Sequence, residues 1–288
     1  MNVFGRRRED LQPRRMRKGM YLLPSLFTTA NLAAGYYAIS QAVSGGSNGQ
    51  AWHFDVAAKA IGIAVLFDGI DGAIARLTHT TSDFGKELDS LADVVTFGVA
   101  PALLAWVWGS RSISAVIDPS LRFWLIQLGA IASFIFLAAG AARLARFNIT
   151  LNPQPTNPGR PGRKYFVGMP IPGGAACIAA MVHLFQGYPI ERWWGSALWF
   201  AAVLLLAFLM VSRWRFWSAK SLNFQSRLPF WIVLVLCTFI ALTWYFSRIV
   251  LFVLAVLYMV SGVWSRLHFA LRRRTALPTA SQGEVTGH

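Results

Sequence analysis

Charge is what this chain has least of: Asp, Glu, Lys and Arg together make up 14% of its 288 residues, against roughly a quarter in soluble domains. Acidic residues are scarcer still, twelve against 27 basic ones. There are two cysteines, Cys177 and Cys237, far apart and each inside an apolar run. That excludes a disulfide framework or a thiolate metal site, both of which need more cysteines at closer spacing. The five histidines show no HxxxH or HxH spacing, so no zinc site is expected. No internal repeat or second domain is visible. What the chain does have is apolar residues, 55% before its 24 glycines are counted. A chain of this size cannot hide that much apolar surface in one core. This excludes a disordered or nucleic-acid-wrapping chain in spite of the net charge of +15. The class that remains is an all-α polytopic membrane protein.

Eight stretches are apolar enough to predict transmembrane helices, near residues 22–41, 55–77, 87–108, 122–147, 169–187, 195–212, 228–246 and 249–267. The second and third carry carboxylates, and only Ser247 and Arg248 separate the last two, which calls for a tight hairpin. With eight spans both termini share a side. That side receives twenty-two of the basic residues and the other receives five, Lys59, Arg111, Arg122, Arg192 and Arg248. The positive-inside rule then makes both termini cytoplasmic. The first apolar run is too long, and too deep behind a basic segment, for a cleaved signal peptide. Residues 1–20 read as a basic cytoplasmic arm, 21–270 as the membrane domain and 271–288 as a disordered tail.

Six of the twelve acids, Asp68, Asp71, Asp83, Glu87, Asp89 and Asp93, fall within 26 residues. An Asp at the centre of a membrane helix costs about 2.5–3.5 kcal/mol on insertion scales, so such a concentration needs a compensating role. Asp68 and Asp71 are three apart and share a helix face; Asp89 and Asp93 are four apart and share another. A short connection makes the two helices antiparallel neighbours, so four carboxylates can converge just inside the cytoplasmic interface. Left alone they would repel and take up protons, whereas a hard divalent cation satisfies them with oxygen ligands. Glu87 points elsewhere, and Asp83 reads as an N-cap. Gly69, Gly72, Ala73 and Ala75 leave the helix beside the acids without bulk, which suits either a close ligand or tight helix packing.

Read as one segment, this is Asp68-x2-Asp71-Gly72-x2-Ala75-Arg76-x8-Gly85-x3-Asp89-x3-Asp93. At all eight positions it resembles the signature of the CDP-alcohol phosphatidyltransferases, integral membrane enzymes of phospholipid synthesis. Three further segments resemble the phosphatidylserine-synthase branch of that family. They are Leu22 to Thr28 with Asn31 and Gly35, Ala142 to Asn148, and Gly168 to Gly174. Ser25 departs from the pattern, which more often has Asn after the proline, and the loop 150–167 is longer than usual.

The resemblance implies transfer of the phosphatidyl group from CDP-diacylglycerol to the hydroxyl of L-serine, giving phosphatidylserine and CMP. It implies that Asp68, Asp71 and Asp89 hold Mg²⁺ or Mn²⁺, two ions in all, and that Asn31, Gly72, Ala75, Arg76 and Gly85 line the CMP portion. Asp93 is then the candidate catalytic base, with ligation of the second metal as its other open role. Arg143, Arg146 and Asn148 are the candidate acceptor-binding residues, because Arg binds a carboxylate bidentately; as a flank of a membrane helix the two arginines also satisfy the positive-inside rule. The family further implies a homodimer in the cell inner membrane, multi-pass, with its active site facing the cytoplasm. Besides a purely structural membrane protein whose acids only support a helix hairpin, two alternatives stay open. One is the same reaction with glycerol 3-phosphate, inositol phosphate or choline as acceptor. The other is a cation transporter, although transporters place their sites near the midplane, often between repeated halves.

Overall fold

A computed structural model describes residues 22–78, 83–111, 113, 117–150, 156, 165–190, 192–217, 237–238, 241–243 and 245–275; of residues 22–25, 71–78, 83, 217 and 272–275 only the backbone is described. The basic arm, most of the tail and nearly all of the seventh expected span therefore lie outside the described residues. Helix dominates. The order is α1 (Leu22–Asn48), α2 (Ala51–Thr78), α3 (Asp83–Asp93), a π-helical segment (Val94–Val99), α4 (Ala100–Arg111), α5 (Pro119–Ile149), β1 (Tyr165–Val167), α6 (Ile171–Leu184), α7 (Trp193–Val211), β2 (Arg215–Trp217) and α8 (Ser247–Thr275).

Among the described residues four helical stretches are long and apolar enough to cross a membrane: Phe84–Arg111, Pro119–Ile149, Trp193–Val211 and Ser247–Leu271. Helices α1 and α2 are as long, but polar and charged residues, Asn31 in one and Asp55, Lys59 and Asp68 in the other, interrupt them. Helix α6 has 14 residues, about 21 Å of rise, and is shorter than the stretch 169–187 expected to span. It is flanked by an element the sequence did not disclose, an antiparallel β1–β2 pair with Phe166 opposite Phe216. The break expected at Ser247 and Arg248 lies one residue earlier: Phe246 is a bend, and α8 begins at Ser247.

Small residues set the packing. Ala38 and Ala42 of α1 and Ala57, Ala58 and Ala64 of α2 are all buried, so the two helices approach closely, as membrane helices do where side chains are small. Larger groups fill the centre. Trp108 meets Trp199 edge-on with ring centroids 5.1 Å apart, and each indole satisfies its N–H on a carbonyl, Trp108 on Gly187 at 3.1 Å and Trp199 on Ala105 at 2.9 Å. Helix α5 starts on Asp118, whose carboxylate accepts from the N–H groups of Ser120 and Leu121, with Pro119 in the first turn.

The charges that interrupt α2 at its first turns are paired. Asp55 lies 2.8 Å from Lys59 and 2.5 Å from His183 Nδ1. His183 Nε2 stands 3.0 Å from the Ser247 hydroxyl. One buried imidazole thus ties α2, α6 and α8 together, and its two nitrogens are both used.

Candidate active site

Asp68 stands ten residues before Thr78 at the end of α2, and Asp93 ten residues after Asp83 at the start of α3. The antiparallel pair therefore brings them to a common depth. One carboxylate oxygen from each of Asp68, Asp89 and Asp93 can be chosen so that all lie within 4.8 Å of one another. Three hard oxygen donors this close are a set that can hold a divalent cation. Asp93 is the most enclosed of them at 9% exposure. Glu87 is exposed and does not belong to the group.

Asp71 follows Asp68 by three residues on the α2 backbone and so belongs to the same face. Its side chain lies outside what is described, as do those of Ala75, Arg76 and Asp83, and Gly72 is described by its backbone alone. The helix begins at Asp83 itself. One residue on from Asp68, a side chain added at Gly69 would meet nothing within 4 Å among the described residues. Gly85 lies in the first turn of α3.

The backbone changes character directly after Asp93. From Val94 to Val99 it is π-helical, and the N–H of Ala100 bonds to the carbonyl of Val95, five residues back. Pro101 supplies a reason: it has no N–H to offer the carbonyl of Phe97, and in an α-helix its ring would crowd that carbonyl. A π-turn adds width where an α-turn would clash, and such insertions recur at functional sites. The segment carries Thr96, which is fully buried and donates its hydroxyl to the carbonyl of Asn31 at 3.1 Å. Asn31 itself is 2% exposed, and its side-chain oxygen has no hydrogen-bond partner among the described residues. A buried amide oxygen without a partner is costly, and a ligand donor would remove the cost. Neither Thr96 nor the π-segment was found from the sequence; Gly98 and Pro101 are the only hints there.

The three expected acceptor residues separate. Arg143 points inward from α5, 7% exposed, close enough to Asp93 to interact electrostatically. Its Nε has no hydrogen-bond partner among the described residues. Arg146, one turn on, is partly exposed and reaches the carbonyl of Val211 at 3.5 Å. Asn148 is exposed and donates its amide to Ser90 on α3 at 2.9 Å, joining the end of α5 to the helix that carries Asp89 and Asp93.

Comparison with known proteins gives the chain's relatives. Residues 21–207 match the family described as CDP-alcohol phosphatidyltransferase. A protein of Helicobacter pylori named CDP-diacylglycerol-serine O-phosphatidyltransferase is 34% identical over 244 residues, which cover 85% of this chain and 90% of that one. Proteins of the same name are 37% identical over 150 residues in Methanocaldococcus jannaschii, covering 52% of this chain and 58% of that one, and 36% identical over 156 residues in Saccharomyces cerevisiae, covering 54% and 51%.

Proposed function

The chain belongs to the CDP-alcohol phosphatidyltransferase family, and from that premise we propose that it transfers the phosphatidyl group of CDP-diacylglycerol to the hydroxyl of L-serine, releasing CMP and phosphatidylserine. The observation that carries this reading is the meeting of Asp68, Asp89 and Asp93 from two helices, with a buried arginine beside the innermost of them. The relatives' names supply the acceptor.

In this reading Gly72, Ala75 and Arg76 of α2, together with Gly85 of α3, take the CMP portion. Asn31 offers its side-chain oxygen to a donor on the ligand. Arg143 holds the serine carboxylate with its fork, and Arg146 and Asn148 border the entrance. Asp93 takes the proton from the serine hydroxyl, a poor nucleophile at neutral pH unless a base lies within hydrogen-bond reach. The serine oxygen forms its bond to the phosphorus that carries diacylglycerol, and the bond from that phosphorus to the CMP oxygen breaks. Direct displacement is favoured because no Ser, Cys or His in the cluster has an evident activating partner that would make it a nucleophile. Bound Mg²⁺ or Mn²⁺, two ions held by Asp68, Asp71 and Asp89 with a share from Asp93, would supply the positive charge that stabilises the attacking and leaving oxygens.

The same proposal sets eight membrane helices, both termini in the cytoplasm and the acids at the cytoplasmic face of the inner membrane, with the basic arm 1–20 and the tail 271–288 outside the bilayer and two chains associated as a dimer. The twenty-two to five division of basic residues supports that orientation.

The test is CMP release by purified protein in detergent with CDP-diacylglycerol and Mn²⁺ or Mg²⁺, with serine, glycerol 3-phosphate, inositol phosphate or choline offered in turn. Release that requires serine and stops on chelation is the expected result. Release with another acceptor alone would overturn the serine assignment, and no release from folded protein with any acceptor would overturn the reaction.

A further inference from the structure

Between α6, α7 and α8 lies a groove of about 380 Å³, within the range of about 300–1,000 Å³ usual for ligand sites. Its described wall is apolar throughout, with Met181 and Phe185 from α6, Leu198 and Ala202 from α7, and Phe252 and Val256 from α8. Helix α8 packs on α6, where the Cys177 thiol stands 3.6 Å from the carbonyl of Ala255. Helix α7 packs chiefly on α5 instead. The two walls of the groove are thus held by different neighbours, and apolar surface stays open between them. Leu198 is 65% exposed.

The groove is separate from the acids. His183 of α6, two residues before Phe185, meets Asp55 of α2, and Asp55 precedes Asp68 by 13 residues, about 20 Å of helical rise. One mouth of the groove therefore lies at the end of the bundle opposite the acids. Charge and aromatic rings mark that mouth. Trp194 lines the groove, and the guanidinium carbon of Arg192 stands 5.8 Å from the centre of its ring. Trp193 and Trp194 are both half exposed, as indoles are where a membrane helix meets the interface. On α8, Arg248 precedes Phe252 by four residues and so stands one turn beyond it on the same face. Its neighbour Ser247 lies 3.0 Å from His183 Nε2, which sets the start of α8 level with the end of α6. The short connection from α6 to α7 brings Arg192 to that level too. Asp55, on the other side of His183, is already paired with Lys59 at 2.8 Å. Two arginines at the mouth of an apolar groove complement a ligand with an anionic head and a hydrocarbon tail.

We propose that this groove binds an anionic phospholipid, with one acyl chain against Met181, Leu198 and Phe252 and the phosphate between Arg192 and Arg248. The lipid fills the space between α7 and α8 and so ties α8 to the rest of the bundle. The site stands apart from the one proposed for CDP-diacylglycerol and does not depend on the acceptor.

The test is thermal unfolding of the full chain in detergent, stripped of lipid as checked by phosphorus assay, with dioleoyl phosphatidylglycerol or zwitterionic dioleoyl phosphatidylcholine titrated in. The melting temperature of wild type is expected to rise with phosphatidylglycerol at a lower concentration than with phosphatidylcholine. With Arg192→Gln and Arg248→Gln combined, the midpoint for phosphatidylglycerol should rise about thirtyfold, as for the loss of two basic residues beside an anionic lipid. The preference over phosphatidylcholine should then vanish. Arg122→Gln, on α5 and outside the groove lining, should behave as wild type. Ala202→Phe, at an exposed position of the wall, puts a ring where the acyl chain lies. Read against its own lipid-free melting temperature, it should lose the response to both lipids. An equal response of wild type to the two lipids, or a preference kept in the double variant, would overturn the proposal. So would a full phosphatidylglycerol response in Ala202→Phe. A wild type that answers to neither lipid would assign the groove to residues 218–236 or to a second copy of the chain, and would overturn the proposal as well.

Discussion

Gly35 of α1 and Thr96 of the π-segment stand so close that a methyl group at 35 would lie 2.8 Å from the Thr96 Cα. The contact is to backbone, so no rotamer change relieves it. It seats α1 against the turn that follows Asp93 and lets the Thr96 hydroxyl reach the Asn31 carbonyl at 3.1 Å. Gly35→Ala is expected to push α1 away, at a cost of about 1–3 kcal/mol as for other overpacked sites. Because Asn31 and Asp93 lie on the two sides of this contact, activity per folded molecule should fall as well. Thr96→Val, which keeps the volume and removes only the hydroxyl, should cost about 1 kcal/mol. Thermal unfolding in detergent together with CMP release would check both.

Asp93→Asn preserves shape and removes the carboxylate base. If Asp93 takes the acceptor's proton, kcat should fall by about 10²–10⁴, with the melting temperature and the KM for CDP-diacylglycerol little changed. Wild-type kcat in this variant would remove Asp93 from the chemistry.

Asp68 and Asp89 are expected to act through the metal. Asp89→Asn leaves one fewer charged oxygen in a set that lies within 4.8 Å. Activity should then need about ten- to a hundredfold more Mn²⁺, the range found when metal-site groups are altered, and high Mn²⁺ should restore part of it. Chelation of wild type should abolish CMP release, and added Mn²⁺ should return it.

The acids were legible in the sequence because helical periodicity is local. Spacings of three and four place residues on one face whatever surrounds them, and a short connection places the two faces together. Arg143, Arg146 and Asn148 looked alike in sequence, each near the end of one helix. Their surroundings separate them: Arg143 is buried, Arg146 reaches the Val211 carbonyl and Asn148 bonds Ser90. The π-segment was not legible, since one inserted residue in a six-residue stretch leaves no periodic signal. Thr96 was hidden for a different reason, because its hydrogen bond to Asn31 is made across the bundle. The same holds for Lys59, which counted only as one of five basic residues on the far side, yet pairs with Asp55 beside His183.

That far-side group should affect stability and leave catalysis alone. His183 is buried and links Asp55 to Ser247 across three helices. His183→Ala would leave Asp55 with Lys59 alone and open a cavity, at a cost of about 2–4 kcal/mol. The expected outcome is a lower melting temperature with unchanged KM values in the protein that remains folded. A selective loss of kcat without loss of stability would show that this end of the bundle is coupled to the acids.

Arg143 gives the sharpest separation of binding from chemistry. Lysine at 143 keeps a positive charge near Asp93 but presents a point charge in place of a planar fork. If the fork binds the acceptor's carboxylate, Arg143→Lys should raise the serine KM by tenfold or more, since two charge-assisted hydrogen bonds become at best one. If the nucleotide is held on the α2 side of the site, as proposed, the KM for CDP-diacylglycerol should stay near that of wild type. Arg143→Ala should do more: it removes the only positive charge described as buried beside Asp93, so the acids repel one another more strongly and the cluster's demand for a cation rises. Its activity should therefore depend on Mn²⁺ more steeply than that of Arg143→Lys. Equal serine KM values in wild type and both variants would assign Arg143 to the fold and would send the search for the carboxylate's partner to Arg146 at the rim.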